Sequence, residues 1–80
     1  MKWSISEEII VCKYYFKIPN CNYSAYVDQI NQELISKGFP SRSDKTIIKK
    51  LENCEYLDKG KGFGLSHYSK QNKKVFIALK

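Results

Sequence analysis

The stretch Ser41-Arg42-Ser43-Asp44-Lys45-Thr46-Ile47-Ile48-Lys49-Lys50-Leu51-Glu52-Asn53-Cys54 constrains this chain most, because one periodicity sorts its residues into two opposite kinds. At about 100° per residue, Ile47, Leu51 and Cys54 share one side of a helix, with Ile48 at its margin. Arg42, Lys45, Thr46, Lys49, Lys50 and Asn53 fall on the other side. Ser41 or Ser43 offers an N-cap oxygen, and Asp44 suits the positive end of the helix dipole. Gly38-Phe39-Pro40, just before, is a turn signal. One apolar face for docking and one cationic, hydrogen-bonding face give the character of a recognition helix. The ordinary alternative is a solvated surface helix.

Eighty residues make one domain, 1–80. A chain of this size buries only about 60% of its unfolded surface, so its core must be compact. Hydrophobic residues at 42%, with one Trp, six Tyr and four Phe, supply that core and argue against disorder. No apolar run approaches a membrane span, and Glu7 and Glu8 interrupt any secretory signal pattern. The expected location is the cytoplasm, with no membrane partner. Cys12, Cys21 and Cys54 cannot all pair within one chain and form no C-x-x-C motif, which agrees with a reducing compartment. Abundant Lys, Asn, Ile and Tyr beside a single Arg suit an AT-rich bacterial or phage genome.

Charge is unevenly placed. In residues 1–40, Lys2, Lys13, Lys17 and Lys37 are balanced by Glu7, Glu8, Asp28 and Glu33. The whole net charge of +6 therefore belongs to residues 41–80. With a pI near 9.3, this asymmetry points to a polyanionic partner.

Ser4 and Glu7 have the S-x-x-E spacing of a capping box, opening a first helix. Ile5, Ile9, Cys12 and Phe16 recur along one side of it, broadened by Ile10, Val11, Tyr14 and Tyr15. Ile18-Pro19-Asn20 stops that helix. Tyr23, Val27, Ile30 and Leu34 mark the inner side of a second helix, which Gly38 ends and Pro40 keeps from continuing. After Cys54, the alternating glycines of Lys59-Gly60-Lys61-Gly62-Phe63-Gly64 argue for a loop with unusual backbone angles, a flexible turn by default. Ser69 looks like the cap of a last helix from Lys70 to about Leu79, with Asn72, Val75, Phe76 and Leu79 facing inward. Val75 to Leu79 would also suit a short strand. The Ser69 cap and the lysine spacing favour helix.

Two helices joined by about five residues containing Gly38 have the arrangement of a helix-turn-helix. Arg42 and Lys45 stand where such a reader meets base edges, alongside Ser43 and Thr46, and Asn53 could pair with adenine. Lys49, Lys50, Lys61, Lys70, Lys73 and Lys74 suit phosphates. The glycine loop lacks the spacing of a nucleotide-binding loop. Cys12, Cys21, Cys54 and His67 contain no close ligand pair, so buried free cysteine is favoured over zinc. No catalytic residue and no cofactor is expected, and the chain does not read as an enzyme.

Trp3-Ser4-x-x-Glu7-Glu8 leading into an aromatic-rich first helix resembles the opening of Myb/SANT-like helix-turn-helix domains. The chain is more similar to the N-terminal helix-turn-helix domain that precedes the nuclease in some bacterial HNH restriction endonucleases. The residues that carry this are Trp3, Glu7-Glu8, Ser43 through Lys50-Leu51-x-Asn53, Leu57-Asp58, Gly64-Leu65-Ser66-x-x-Ser69-Lys70 and Val75-Phe76. The resemblance implies an all-helical fold, DNA as ligand and the third helix as reader. Two departures are Phe39-Pro40-Ser41, which separates Gly38 from Arg42, and Cys54, where an aromatic is typical. The nuclease part is absent, so no catalytic role carries over.

The expectation is thus an all-α domain of three or four helices with a helix-turn-helix. It would be a small basic DNA-binding module, in the manner of a regulator, with helix 43–55 as the reader of double-stranded DNA. RNA or a protein–nucleic-acid complex is the alternative ligand, and a homodimer would double the few base contacts one reader makes. The competing reading is a phage or mobile-element protein that binds and inhibits a host defence nuclease or ribonucleoprotein.

Overall fold

The computed structural model describes residues 3–80. Helices α1 (Ile5–Tyr15), α2 (Val27–Ser36), α3 (Asp44–Lys59) and α4 (Lys70–Leu79) form an all-α domain, with no strand among the described residues. Two short 3₁₀ turns, Pro19–Cys21 and Tyr23–Tyr26, lead into α2. The segment Val75 to Leu79 is helix, and its alternative as a strand is set aside.

Local signals start and stop these helices. The Ser4 hydroxyl accepts from the Glu7 N–H at 3.2 Å, while Glu7 Oε1 accepts from the Ser4 N–H at 3.0 Å, closing the capping box. Ser43, rather than Ser41, caps α3 by accepting from the Thr46 N–H at 3.2 Å. Ser69 caps α4 through the Asn72 N–H at 3.0 Å. At the end of α2, Gly38 takes φ +88°, and the Phe39 N–H returns to the Leu34 carbonyl at 2.9 Å. That positive φ is open to glycine at little cost, and the return bond satisfies a carbonyl the helix would otherwise strand. Phe39 then packs against the core.

α1 is the central element, packed against each of the other three helices. On one side, Ile10, Val11 and Tyr14 meet Tyr23, Val27, Ile30 and Leu34 of the α2 region and Ile47 and Leu51 of α3. On the other, Cys12 meets Cys54 of α3 and Val75 and Phe76 of α4. Tyr15 touches both groups. The apolar spacings read in α2, α3 and α4 are therefore the buried ones.

α1 departs from its expected orientation. Ile5, Ile9 and Phe16, placed on the inner side by spacing, are 58%, 40% and 45% exposed. The buried stripe instead includes two carboxylates, Glu7 and Glu8. They turn inward because each meets a cation from the region of α3, and the isoleucines swing to the rim as a result.

Candidate nucleic-acid interface

The residues read as a basic face separate into an internal and an external set. Arg42, Lys50 and Asn53 are buried. Arg42 Nη2 donates to Glu7 Oε2 at 2.8 Å, with both side chains 6% exposed. Lys50 Nζ donates to Glu8 Oε1 at 2.7 Å, with the two side chains 8% and 1% exposed. Trp3 lies against both cations, its ring centre 4.3 Å from the Arg42 guanidinium carbon and 5.1 Å from Lys50 Nζ. The Trp3 carbonyl in turn accepts from Gln71 Nε2 of α4 at 2.8 Å. Asn31 of α2 holds the Arg42 backbone through both its amide groups, at 2.8 and 2.9 Å.

This arrangement corrects the expected solvent exposure of Arg42, Lys50 and Asn53. The wheel of an isolated helix places them opposite Ile47, but α3 is covered on two flanks, by α1 and by α4. Charges taken out of water persist only when paired, and Glu7 and Glu8 pair them. Removing one partner of such a pair leaves an uncompensated buried charge. The two bridges thus tie the start of α1 to α3 and to the segment before it.

Burial pushes the Glu7 carboxyl up, but bonds from the Ser4 backbone N–H and the Arg42 guanidinium outweigh it, so its pKa lies below the usual value. In Glu33, the hydrogen bond from Lys13 does most to lower the pKa, against burial.

The external set keeps its water. Ser43, Lys45 and Lys49 are exposed and Thr46 half-exposed, all in the first two turns of α3 or at its cap. At about 100° per residue, Lys45, Lys49, Glu52, Tyr56 and Lys59 form one outward stripe. Among the described residues, ion pairs engage Lys13, Arg42 and Lys50, not Lys45 or Lys49. Glu52 is the acid on this stripe, while Glu55 accepts from the Tyr23 hydroxyl and Asp58 from the Tyr15 hydroxyl on other flanks, each at 2.7 Å. Helix α3 also extends one turn beyond the expected 43–55.

Segment 60–68 reads in the sequence as a flexible turn, but the structure pins it onto that stripe. Gly64 sits so close to α3 that a Cβ there would stand 2.1 Å from the Glu52 carbonyl oxygen. The Leu65 N–H donates to the same carbonyl at 3.1 Å. Tyr68 packs on Tyr56, ring centres 5.9 Å apart. Lys61 is exposed on this loop, beside the cleft formed by Tyr56, Phe63 and the glycines. This packing is what the reading of the sequence missed, and the alternation of glycines was its one available sign.

The lysines of α4 do not form a single row. Lys70, Lys73 and Lys74 are all exposed. Lys74 rims a groove of about 430 Å³ with Ile5, Ile9, Val75, Ala78 and Leu79, on the flank facing α1. Lys73 lies about 100° from it around the helix. No group of three or more His, Cys, Asp or Glu that could hold a metal is found among the described residues. No helix there is long and apolar enough to cross a membrane. The facing thiols of Cys12 and Cys54 are free, buried and 3.1 Å apart, with Asn72 Nδ2 against both. No protein-family model, no curated protein and no solved structure matches the chain.

Proposed function

We propose that this chain is a small double-stranded-DNA-binding module that presents the first two turns of α3 to the duplex. The observation that carries the reading is the outward Lys45 and Lys49, with Ser43 and Thr46 beside them, at the N-terminal end of α3 on the flank its neighbours leave open. Backbone N–H groups and the helix dipole at that end favour phosphate, and N-terminal residues of a reading helix are the ones that reach base edges. Lys61 of the loop and Lys70 and Lys73 of α4 add exposed positive charge outside α3. Arg42, Lys50 and Asn53 leave the binding face and become the scaffold beneath it. Such a reader, with few base contacts, suits regulation by occupancy rather than chemistry, in a cytoplasm that keeps its three thiols reduced. Fluorescence anisotropy on labelled duplex at about 50 and 200 mM salt tests it, because phosphate contacts make affinity fall steeply between those limits. No binding at the lower salt overturns it. Solution mass with and without duplex gives the stoichiometry.

One observation favours a second reading, that of a protein which binds a host nuclease or ribonucleoprotein. The groove between α1 and α4 is lined by five apolar side chains together with Gln71 and Lys74, and Ile5 and Ile9 are exposed along it. Exposed apolar patches of this kind accompany protein contacts. Ile9→Lys would abolish such an interaction and leave duplex affinity intact.

A further inference from the structure

We propose that the loop 60–68 and the C-terminal half of α3 form a cleft for a single unpaired nucleobase, next to the duplex-binding end of the same helix. The site rests on the DNA-binding reading and sharpens its ligand to a duplex with an overhang, a bulge or an extruded base.

The cleft measures about 580 Å³ and is lined by Tyr56, Lys61, Gly62, Phe63, Gly64 and Ser66. That lies within the range of pockets that hold small ligands, roughly 300–1,000 Å³. Its chemistry is that of a base-stacking platform, with two aromatic rings, a lysine, a hydroxyl and no carboxylate among its lining residues. Phe63 is 48% exposed, so its ring is open to a ligand. Lys59 Nζ lies 5.7 Å from the centre of that ring, so a cation accompanies the stacking surface. Tyr68 backs Tyr56 and steadies its ring.

The glycines give the cleft its floor. Gly62 and Gly64 both have positive φ, 98° and 62°, with open space over Gly62 and the α3 backbone against Gly64. Gly64 also fixes the loop to the Glu52 carbonyl, so the platform is preformed. Of the neighbouring acids, Glu55 and Asp58 are held on other flanks by Tyr23 and Tyr15, which leaves Glu52, one turn before Tyr56, as the acid on this stripe, outnumbered by Lys49, Lys59 and Lys61 around it.

Position makes the cleft part of one ligand path. Lys49 and Tyr56 are seven residues apart on the same stripe, which at ~1.5 Å per residue is about 10 Å. That span is short enough for an unpaired strand leaving the end of a duplex to cross. A strand whose phosphates meet Lys45 and Lys49 therefore passes Glu52 and brings a nucleotide within reach of Tyr56 and Phe63.

The experiment uses three probes with the full chain: a blunt duplex, the same duplex with a five-nucleotide overhang, and the overhang strand alone. Each single-stranded position in turn carries 2-aminopurine, whose fluorescence is quenched on stacking. The expected result is about tenfold tighter binding of the overhang duplex than of the blunt one, the size expected of one stacked base. Quenching should be confined to the overhang positions next to the duplex junction. Phe63→Ala should return the overhang duplex to blunt affinity and leave the blunt duplex unchanged. Equal affinity for blunt and overhang duplexes, with no position quenched, overturns the cleft while leaving duplex binding standing. Quenching of the single strand by the protein, abolished in Phe63→Ala, with no binding to blunt duplex, supports the cleft and overturns the duplex reading. Equal weakening of both duplexes by Phe63→Ala also overturns the proposal, and circular dichroism of that variant shows whether the fold persists.

Discussion

Lys50 of α3 and Glu8 of α1 form a 2.7 Å ion pair from which water is almost wholly excluded, the lysine side chain at 8% and the glutamate at 1% exposure. The lysine is therefore part of the scaffold, one residue along from Lys49, which is part of the surface. Lys50→Ala should destabilise the fold by about 3–5 kcal/mol, because it leaves the Glu8 carboxylate buried and unpaired. Lys50→Met together with Glu8→Leu should recover most of that stability, since well-packed apolar replacements of a buried pair cost little. Lys49→Ala should change stability by less than about 0.5 kcal/mol, as surface substitutions do. Urea denaturation of the four proteins distinguishes these outcomes.

Gly64 makes a second prediction, about the loop. Alanine there meets both a positive φ of 62° and the Glu52 carbonyl oxygen at 2.1 Å, so the loop must leave α3. The expected cost is about 1–3 kcal/mol. Gly62→Ala is the control: its φ of 98° is also strained, but nothing stands within 4 Å of the added carbon. Its backbone strain should cost about 1 kcal/mol or more, less than Gly64→Ala, and it should keep the Leu65 amide protected. Amide hydrogen exchange at Leu65, which bonds to the Glu52 carbonyl, reads loop attachment directly.

Tyrosine ionisation gives a third. Tyr14, Tyr15 and Tyr23 donate hydroxyl hydrogen bonds to Glu33, Asp58 and Glu55. Burial first, and then the bonds to these carboxylates and, for Tyr23, to Cys21, raise all three above the ordinary value of 10.0. The neutral phenol is the form the fold favours. Its stabilisation is thus complete below about pH 10, the unfolded value, and is lost as pH rises through the folded values. Absorbance titration at 295 nm should show part of the phenolate signal withheld beyond pH 10 and released when the protein unfolds. Tyr23→Phe should remove part of the withheld signal.

Much of this architecture could be read along the chain, and the exceptions have a common cause. Ser4, Ser43 and Ser69 announced three helix starts, and Gly38 one helix end, because capping depends on neighbours three or four residues apart. The inner faces of α2, α3 and α4 followed from apolar spacing for the same reason. Ile5 and Ile9 did not end up buried, since the rotation of α1 is set by Glu7 and Glu8 meeting Arg42 and Lys50 some 35 and 42 residues away. Those same pairings withdrew two cations from a face that one-helix geometry placed in solvent, and Asn53 is buried with them. The 60–68 loop was misjudged because its anchor is backbone against backbone at Glu52 and Gly64, which leaves no side-chain pattern. Seen from the sequence, the basic stretch was visible, but its division into scaffold and surface was not.

The most direct test compares two lysines of α3 with one lysine of α1. Binding of duplex DNA is measured over a range of salt for the parent chain, for Lys45→Ala with Lys49→Ala, and for Lys13→Ala on α1 as a surface control. Each phosphate no longer neutralised by a lysine should lower the slope of log K against log salt by about 0.9. The account predicts a slope smaller by roughly two for the double variant, with an unchanged slope for Lys13→Ala and an unchanged denaturation midpoint for the double variant. Equal slopes for the parent and the double variant would contradict it.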